Sequence, residues 1–137
     1  MDAAERVGRA LGERGAVVVC GGLAGVMEAA CRGAKDAGGA TLGILPGLDR
    51  SDANPYVDVA VPTGLGEARN ALVVRAADAL IAVGGEWGTL SEIALAMRAG
   101  KRVVGLGTWE LHRGGRPVEG ILAAADPDEA VELALGS

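Results

Sequence analysis

Apolar positions along this chain come as short solid runs separated by stretches with helical spacing. Val7, Ala10 and Leu11 recur at helical intervals within Ala3–Arg14, and Gly15 closes that segment. Ala16–Cys20 follows as a β-branched run, which predicts a buried strand. The alternation then repeats. Gly25–Ala37 predicts a helix ended by Gly38 and Gly39, Thr41–Leu45 a strand stopped by Pro46 and Gly47, and Leu48–Tyr56 a loop rich in Asp, Ser, Asn and Pro. Val57–Val61 predicts a short strand, Glu67–Ala77 a helix, Ala79–Val83 a strand, Thr89–Arg98 a helix and Arg102–Leu106 a strand. Gly107–Pro117 is polar and glycine-rich, hence a loop. Ile121–Ala125 reads as a short strand, and Pro127–Leu135 as a last helix capped by Asp126.

Strands that are apolar throughout, alternating with helices, predict an α/β fold. The expected architecture is a doubly wound, Rossmann-like parallel sheet with helices on both faces, a single domain over residues 1–137. Ligands of such folds bind at the carboxyl ends of the strands, where the strand order reverses. Composition refines this picture. Half the residues are apolar, yet there is no Phe, one Tyr and two Trp, so the core must be aliphatic. The 23 glycines are not periodic and lie between hydrophobic runs, which assigns them to turns. The net charge of −5 and the lack of a basic block argue against nucleic acid as a partner. The apolar runs are too short to span a membrane, and the acidic start Met1–Glu5 does not read as a secretory leader, so a cytoplasmic location is expected with no membrane partner. Cys20 and Cys31 sit in apolar segments and read as buried free thiols, too few for a disulfide framework or a zinc site; no metal site is expected.

Candidate chemistry begins with a weak internal repeat. Val17–Cys20 runs into Gly21-Gly22-Leu23-Ala24-Gly25, and Leu80–Val83 runs into Gly84-Gly85-Glu86-Trp87-Gly88. Each copy brings free backbone N–H groups to the start of a helix, where hydrogen bonds and the helix dipole favour an anion. A single such loop serves equally as a plain strand–helix turn; two in one small domain favour phosphate binding. Neither ends in Gly-Lys-Ser/Thr, so neither is a P-loop. Arg69 follows the Gly64-Leu65-Gly66 turn and Glu92 follows the second glycine loop, on elements that flank Ala79–Val83. The two could meet over one crevice as an arginine clamp and a carboxylate that accepts a hydroxyl or proton, or form an ordinary surface ion pair. Thr89 reads as a phosphate donor or a helix cap, Asn70 as a ligand contact or a loop brace, and Glu28 as the first loop's counterpart of Glu92 or a surface residue. Trp87 could cover a ring or pack locally. His112 lies in a polar loop beside Arg113 and Arg116 and reads as a loop residue.

The stretches Gly66-Glu67-Ala68-Arg69-Asn70 and Gly84-Gly85-Glu86-Trp87-Gly88-Thr89-Leu90-Ser91-Glu92 resemble the LOG superfamily, and the resemblance extends from Gly15 to about Leu106. That group includes cytokinin-activating phosphoribohydrolases, molybdenum-cofactor carrier proteins and proteins labelled lysine decarboxylases. In the hydrolases the pattern is Arg-Lys followed by Pro-Gly-Gly-x-Gly-Thr-x-x-Glu. The resemblance implies that Arg69 and Glu92 match the catalytic pair, and Gly85, Gly88 and Thr89 the phosphate loop. Asn70 stands where the hydrolases have Lys, and Gly84-Gly85-Glu86 where they have Pro-Gly-Gly; Arg-Asn followed by Trp-Gly-Thr-Leu-Ser-Glu is more like the carrier branch. Lys35 and Lys101 are the only lysines and lie near the far ends of helices, a poor place for a pyridoxal Schiff base, so lysine decarboxylation is not expected. Members of the superfamily usually open with a strand and a Gly/Ser turn before the first helix. Here the helix begins almost at Met1, so this chain is expected to lack that strand and to show a gap between Ala16–Cys20 and Ala79–Val83, unless the sheet closes differently.

Three functions follow as expectations. The first is a binding or carrier protein for a phosphorylated small molecule of nucleotide or pterin type, such as molybdenum cofactor, held by Gly21, Gly22, Gly25, Arg69, Asn70, Gly84, Gly85, Gly88 and Thr89. It would require no cofactor of its own, the bound molybdenum cofactor or nucleotide being its ligand. The second is a nucleoside 5′-monophosphate phosphoribohydrolase, in which Arg69 orients the substrate while Glu92 stabilises a cationic ribosyl transition state or activates water. The third is a structural or regulatory subunit without ligand. Asn70 and Glu86 favour the first over the second; Arg69 and Glu92 together favour the second over the third. The segments Glu67–Ala77 and Leu90–Arg98 are apolar on more than one face, and with the family resemblance this predicts a homodimer or higher homo-oligomer.

Overall fold

The computed structural model describes residues 2–136. Its elements are α1 (Asp2–Glu13), β1 (Val17–Cys20), α2 (Val26–Asp36), β2 (Ala40–Leu45), β3 (Val59–Pro62), α3 (Asn70–Ala76), β4 (Ala79–Val83), α4 (Trp87–Arg98), β5 (Arg102–Leu106), the hairpin β6 (His112–Arg113) and β7 (Arg116–Pro117), β8 (Ile121–Ala123) and α5 (Pro127–Leu135). This is the expected α/β, Rossmann-like arrangement of parallel strands between helices. The strands form two parallel ladders, β1-β2-β3 and β4-β5-β8. Val17 stands beside Ala40 and Cys20 beside Gly43, while Ala79 stands beside Arg102 and Val83 beside Leu106. Among the described residues β1 and β4 each pair on one side only and not with each other.

The helices form two layers: α1 packs on α2 and α5, and α3 packs on α4. β5 is the spine between them. Successive strand residues point to opposite faces, so Val104 joins Val7, Ala10 and Val131 on the α1–α5 side, and Val103 joins Val74, Ile93 and Ala96 on the other. Val103 and Val104 are fully buried, each contributing about 1.5–3 kcal/mol by the usual measure for aliphatic side chains. α1 and α2 approach each other closely. A Cβ on Gly8 would fall onto the Ala30 carbonyl oxygen, and one on Gly33 onto that of Glu5, so two glycines let the helix backbones touch.

Three local expectations shift. β3 starts at Val59 rather than Val57, because the Val57 amide donates to the Asn54 carbonyl (3.2 Å) and the Asp58 amide to the Thr41 hydroxyl (2.8 Å), which holds both residues in the preceding turn. The helix expected from Glu67 is a 3-10 turn over Gly66–Arg69 that passes into α3 at Asn70. The loop Gly107–Pro117 contains a hairpin, turned by Gly114 (φ 60°) and Gly115 (φ 77°). The Asp126 cap stands as expected, its carboxylate accepting from the Glu129 amide at 2.8 Å. No helix among the described residues is long and apolar enough to cross a membrane.

Candidate ligand-binding site

Both glycine loops leave the carboxyl ends of strands, β1 and β4. Gly25 (φ 74°) introduces α2 and Glu86 introduces α4, and neither makes a side-chain bond to the first-turn amides. Those N–H groups therefore remain available to an anion. Arg69 stands at the end of the 3-10 turn and points across the same end of the sheet. Its Nε donates to the Ile44 carbonyl at 3.0 Å, and its Nη1 donates to Asn70 Oδ1. Asn70 is only 7% exposed, and its Oδ1 holds the guanidinium in place. Gly21 makes the room: a Cβ there would lie 2.5 Å from Arg69 Nη2 and 2.8 Å from Met27 Sδ.

Glu92 lies on the second turn of α4 within the electrostatic reach of Arg69. Burial pushes its carboxyl above the usual carboxylate range, and the Arg69 charge pulls partly the other way. Cys20, at the end of β1, joins the group. Its Sγ is 3.5 Å from Cys31 Sγ and accepts from the Gly22 amide at 3.3 Å. The Cys31 hydrogen bond, helped by that amide and by Arg69, holds the Cys20 thiol below its ordinary value against the effects of burial and Glu92, while Cys31 is pushed up by the same bond and by burial. Both thiols are free; Cys31 is fully buried and Cys20 half-buried.

A cavity of about 1250 Å³ brings Gly21, Gly25, Arg69, Asn70, Gly88, Thr89 and Glu92 together. Gly22, Gly84 and Gly85 do not line it. Gly22 (φ 76°) packs on Gly43 and Leu45, and its carbonyl accepts from the Asn54 amide at 2.8 Å. Gly84 (φ 79°) shapes the turn, its carbonyl held by the Thr108 hydroxyl at 2.6 Å. Gly85 and Gly88 face open space: apart from adjoining residues of its own segment, a Cβ at either position would have nothing within 4 Å. Glu28 stays outside the cavity, on α2, and His112 is on the exposed hairpin. Lys35 pairs with Asp58 at 2.9 Å, and Lys101 bonds the carbonyls of Arg75 and Ala77, so both lysines brace helix ends.

Two residues at the site escaped the sequence reading. Besides the Thr108 bond, Trp109 Nε1 donates to the Glu86 carbonyl at 3.1 Å, and its ring stands 5.0 Å from that of Trp87. Together they tie the loop before α4 to the end of β5. Their position just after a parallel strand, at its carboxyl end, is the signal that could have found them. Trp87 itself is 75% exposed at the rim.

The model of the SLOG cluster4 family matches residues 1–131. An uncharacterized protein of Archaeoglobus fulgidus is 42% identical over 137 residues, which cover 98% of this chain and 84% of the relative. Among solved structures, the molybdenum cofactor binding protein from Rippkaea orientalis superposes with a TM-score of 0.86 at 35% identity, covering 96% of this chain and 83% of that one. The molybdenum cofactor carrier protein from Chlamydomonas reinhardtii superposes with a TM-score of 0.85 at 35% identity, covering 99% and 88%.

Proposed function

The chain belongs to the SLOG cluster4 family, and from that premise we propose that it binds and carries a phosphorylated small molecule of pterin or nucleotide type, with molybdenum cofactor as the foremost cargo. The observation that carries this reading is Arg69, braced by Ile44 and Asn70, facing the uncapped start of α4 across one cavity. An arginine fork and a row of helix amides suit a phosphate, and the pre-set guanidinium loses little freedom on binding. The open space beside Gly88 accepts the phosphate oxygens against the backbone, and Trp87 at the rim offers a face to a flat heterocycle. The solved neighbours, one a molybdenum cofactor binding protein and the other a molybdenum cofactor carrier protein, support the same choice of cargo. This reading places the protein in the cytoplasm as a homodimer or larger homo-oligomer, with neither nucleic acid nor membrane as partner.

One observation favours a second reading. Glu92 shares the cavity with Arg69, and its carboxyl is raised by burial, as suits a proton-transferring group in a phosphoribohydrolase. The two readings separate by mutation. For a carrier, Arg69→Ala weakens binding of the phosphorylated ligand by about 1.5–3 kcal/mol, the loss of a charged hydrogen bond, and Glu92→Ala has a smaller effect. For a hydrolase, Glu92→Ala leaves affinity largely intact and lowers release of free base from adenosine monophosphate by about 100-fold or more. Base release by the parent that depends on Glu92 would replace the carrier reading with the hydrolase. Binding of no phosphorylated ligand by a folded sample would remove both.

A further inference from the structure

Cys20 and Cys31 are the two thiols of the chain, and neither reading of the function uses them. Cys20 ends β1, and Cys31 stands on the second turn of α2, which packs on that strand. The loop between them, Gly21–Gly25, returns the chain so that the two sulfurs lie 3.5 Å apart, in direct contact. Both are free. Their settings differ. Cys20 is half-buried and lines the cavity beside Gly21 and Arg69, whereas Cys31 is fully buried behind it. Packing alone accounts for Cys31, which fills the core. It does not account for Cys20, which lines the cavity and accepts the Gly22 amide at 3.3 Å. The hydrogen bond from Cys31, that amide and the Arg69 guanidinium all favour a thiolate at Cys20, and they hold its thiol below the ordinary value against burial and Glu92. Cys31 is pushed up by the same bond and by burial, so it keeps its proton. Among the described residues no third His, Cys, Asp or Glu joins the pair in a group that could hold a metal ion, which removes a structural zinc site.

We propose that Cys20 and Cys31 are a reversible redox pair, in which Cys20 reacts with a peroxide at the cavity wall and Cys31 closes the product to an intramolecular disulfide. With hydrogen peroxide, the Cys20 thiolate sulfur attacks one oxygen and the O–O bond breaks. Cys20 becomes a sulfenic acid, and the departing hydroxide takes up the proton released by the Cys20 thiol and leaves as water. The Cys31 sulfur then attacks the Cys20 sulfur. The S–O bond breaks, the hydroxyl leaves as water with the Cys31 proton, and the S–S bond forms. The two thiols together lose two electrons, and the peroxide is reduced to two waters. Because Cys31 already touches Cys20, it captures the sulfenic acid before further oxidant carries it to the sulfinic acid, which thiols do not reduce. A thiol reductant reverses the disulfide by exchange. The bond ties the end of β1 to α2 and encloses the first glycine loop, so the modification sits in the wall of the ligand cavity. In a reducing compartment such a bond is transient and belongs to redox sensing rather than to structure. This inference is independent of which ligand binds.

The test is thiol mapping on the folded, reduced chain exposed to hydrogen peroxide at neutral pH. Remaining thiols are blocked with an alkylating agent, and the protein is digested without reduction for mass spectrometry. The expected product is a chain lighter by two hydrogen atoms, with Cys20 and Cys31 in one linked pair of peptides and no covalent dimer. Dithiothreitol is expected to return both thiols. Cys31→Ala is expected to stop at the sulfenic acid of Cys20, trapped by dimedone. Cys20→Ala is expected to slow thiol loss by about 100-fold or more, because the remaining thiol is buried and protonated. The linkage in the parent decides the matter even where a variant fails to fold. Loss of the Cys31 thiol at the parent's rate in a folded Cys20→Ala would overturn the proposal. A disulfide between the Cys20 residues of two copies, or Cys20 driven to the sulfinic acid while Cys31 stays free, would overturn it too. So would a folded parent that keeps both thiols under peroxide sufficient to oxidise free cysteine completely.

Discussion

At the scale of single residues, Arg69 is organised more tightly than its place in the chain suggests. Asn70 reads from the sequence as either a ligand contact or a brace; it is buried, bonds Arg69 and lines the same cavity, an arrangement compatible with both roles. Gly21 reads as a phosphate-loop residue, and what it visibly provides is space for the same guanidinium. Glu92 offers a direct physical test. Burial raises its carboxyl, so the folded protein keeps a proton that the unfolded chain would already have released. Stability therefore falls as pH rises from the ordinary carboxylate range into the raised one, and the cost is absent below that range, where both states are protonated. Glu92→Gln is expected to melt above the parent at pH 7, with the advantage fading as pH drops through roughly 4. Thermal melts at the two pH values check this; an advantage equal at both would mean that the carboxyl does not titrate differently on folding.

At the scale of elements, the start of α4 is the most exposed to test. Gly88 is helical and faces open space, so a Cβ there meets nothing beyond its own helix, and valine is no worse than glycine in a helix. Gly88→Val is expected to keep the parent's melting temperature within a few degrees and to lose measurable binding of a phosphorylated ligand, because the side chain occupies the room for phosphate. Calorimetry with the ligand, beside a melting curve, distinguishes this from a damaged fold; undiminished binding would reduce the loop to a turn. Gly84 would make a poor probe, since its φ of 79° strains any other residue. Strands and helices were legible from periodicity because their burial is local and regular. The start of β3 was not, since the Asn54 and Thr41 bonds that delay it come from other segments.

At the scale of the whole molecule, the expected oligomer can be tested at exposed apolar positions of α3 and α4: Leu72 is 41% exposed on α3, and Ala71 and Ala94 are exposed on α3 and α4. Light scattering at micromolar concentration is expected to give at least the dimer mass, and Leu72→Glu is expected to shift it towards the monomer by placing a charge in the contact. A parent that remains monomeric would count against this surface. The site itself depends on the molecule as a whole: Arg69 precedes α3, Glu92 lies on α4, Cys20 ends β1, and only the parallel order of the strands brings these ends to one side.

The chain by itself determined the α/β class, the succession of elements, the aliphatic core and the identity of Arg69 and Glu92 as a pair to watch. Each of these rests on local pattern: hydrophobic period, turn residues, and motif spacing that a strand–helix unit preserves. Tertiary structure decided which glycines line the cavity and which merely shape turns, because that depends on what lies opposite them, as Gly43 and Leu45 lie against Gly22. It also brought in Thr108 and Trp109, whose bonds to Gly84 and Glu86 span more than twenty residues of chain. Above all it decided how far the ladders extend. Hydrogen bonds between strands are made by backbone that every residue shares, so the composition of β1 and β4 predicts that each belongs in a sheet, while only the folded chain reveals that, among the described residues, each has a partner on one side alone.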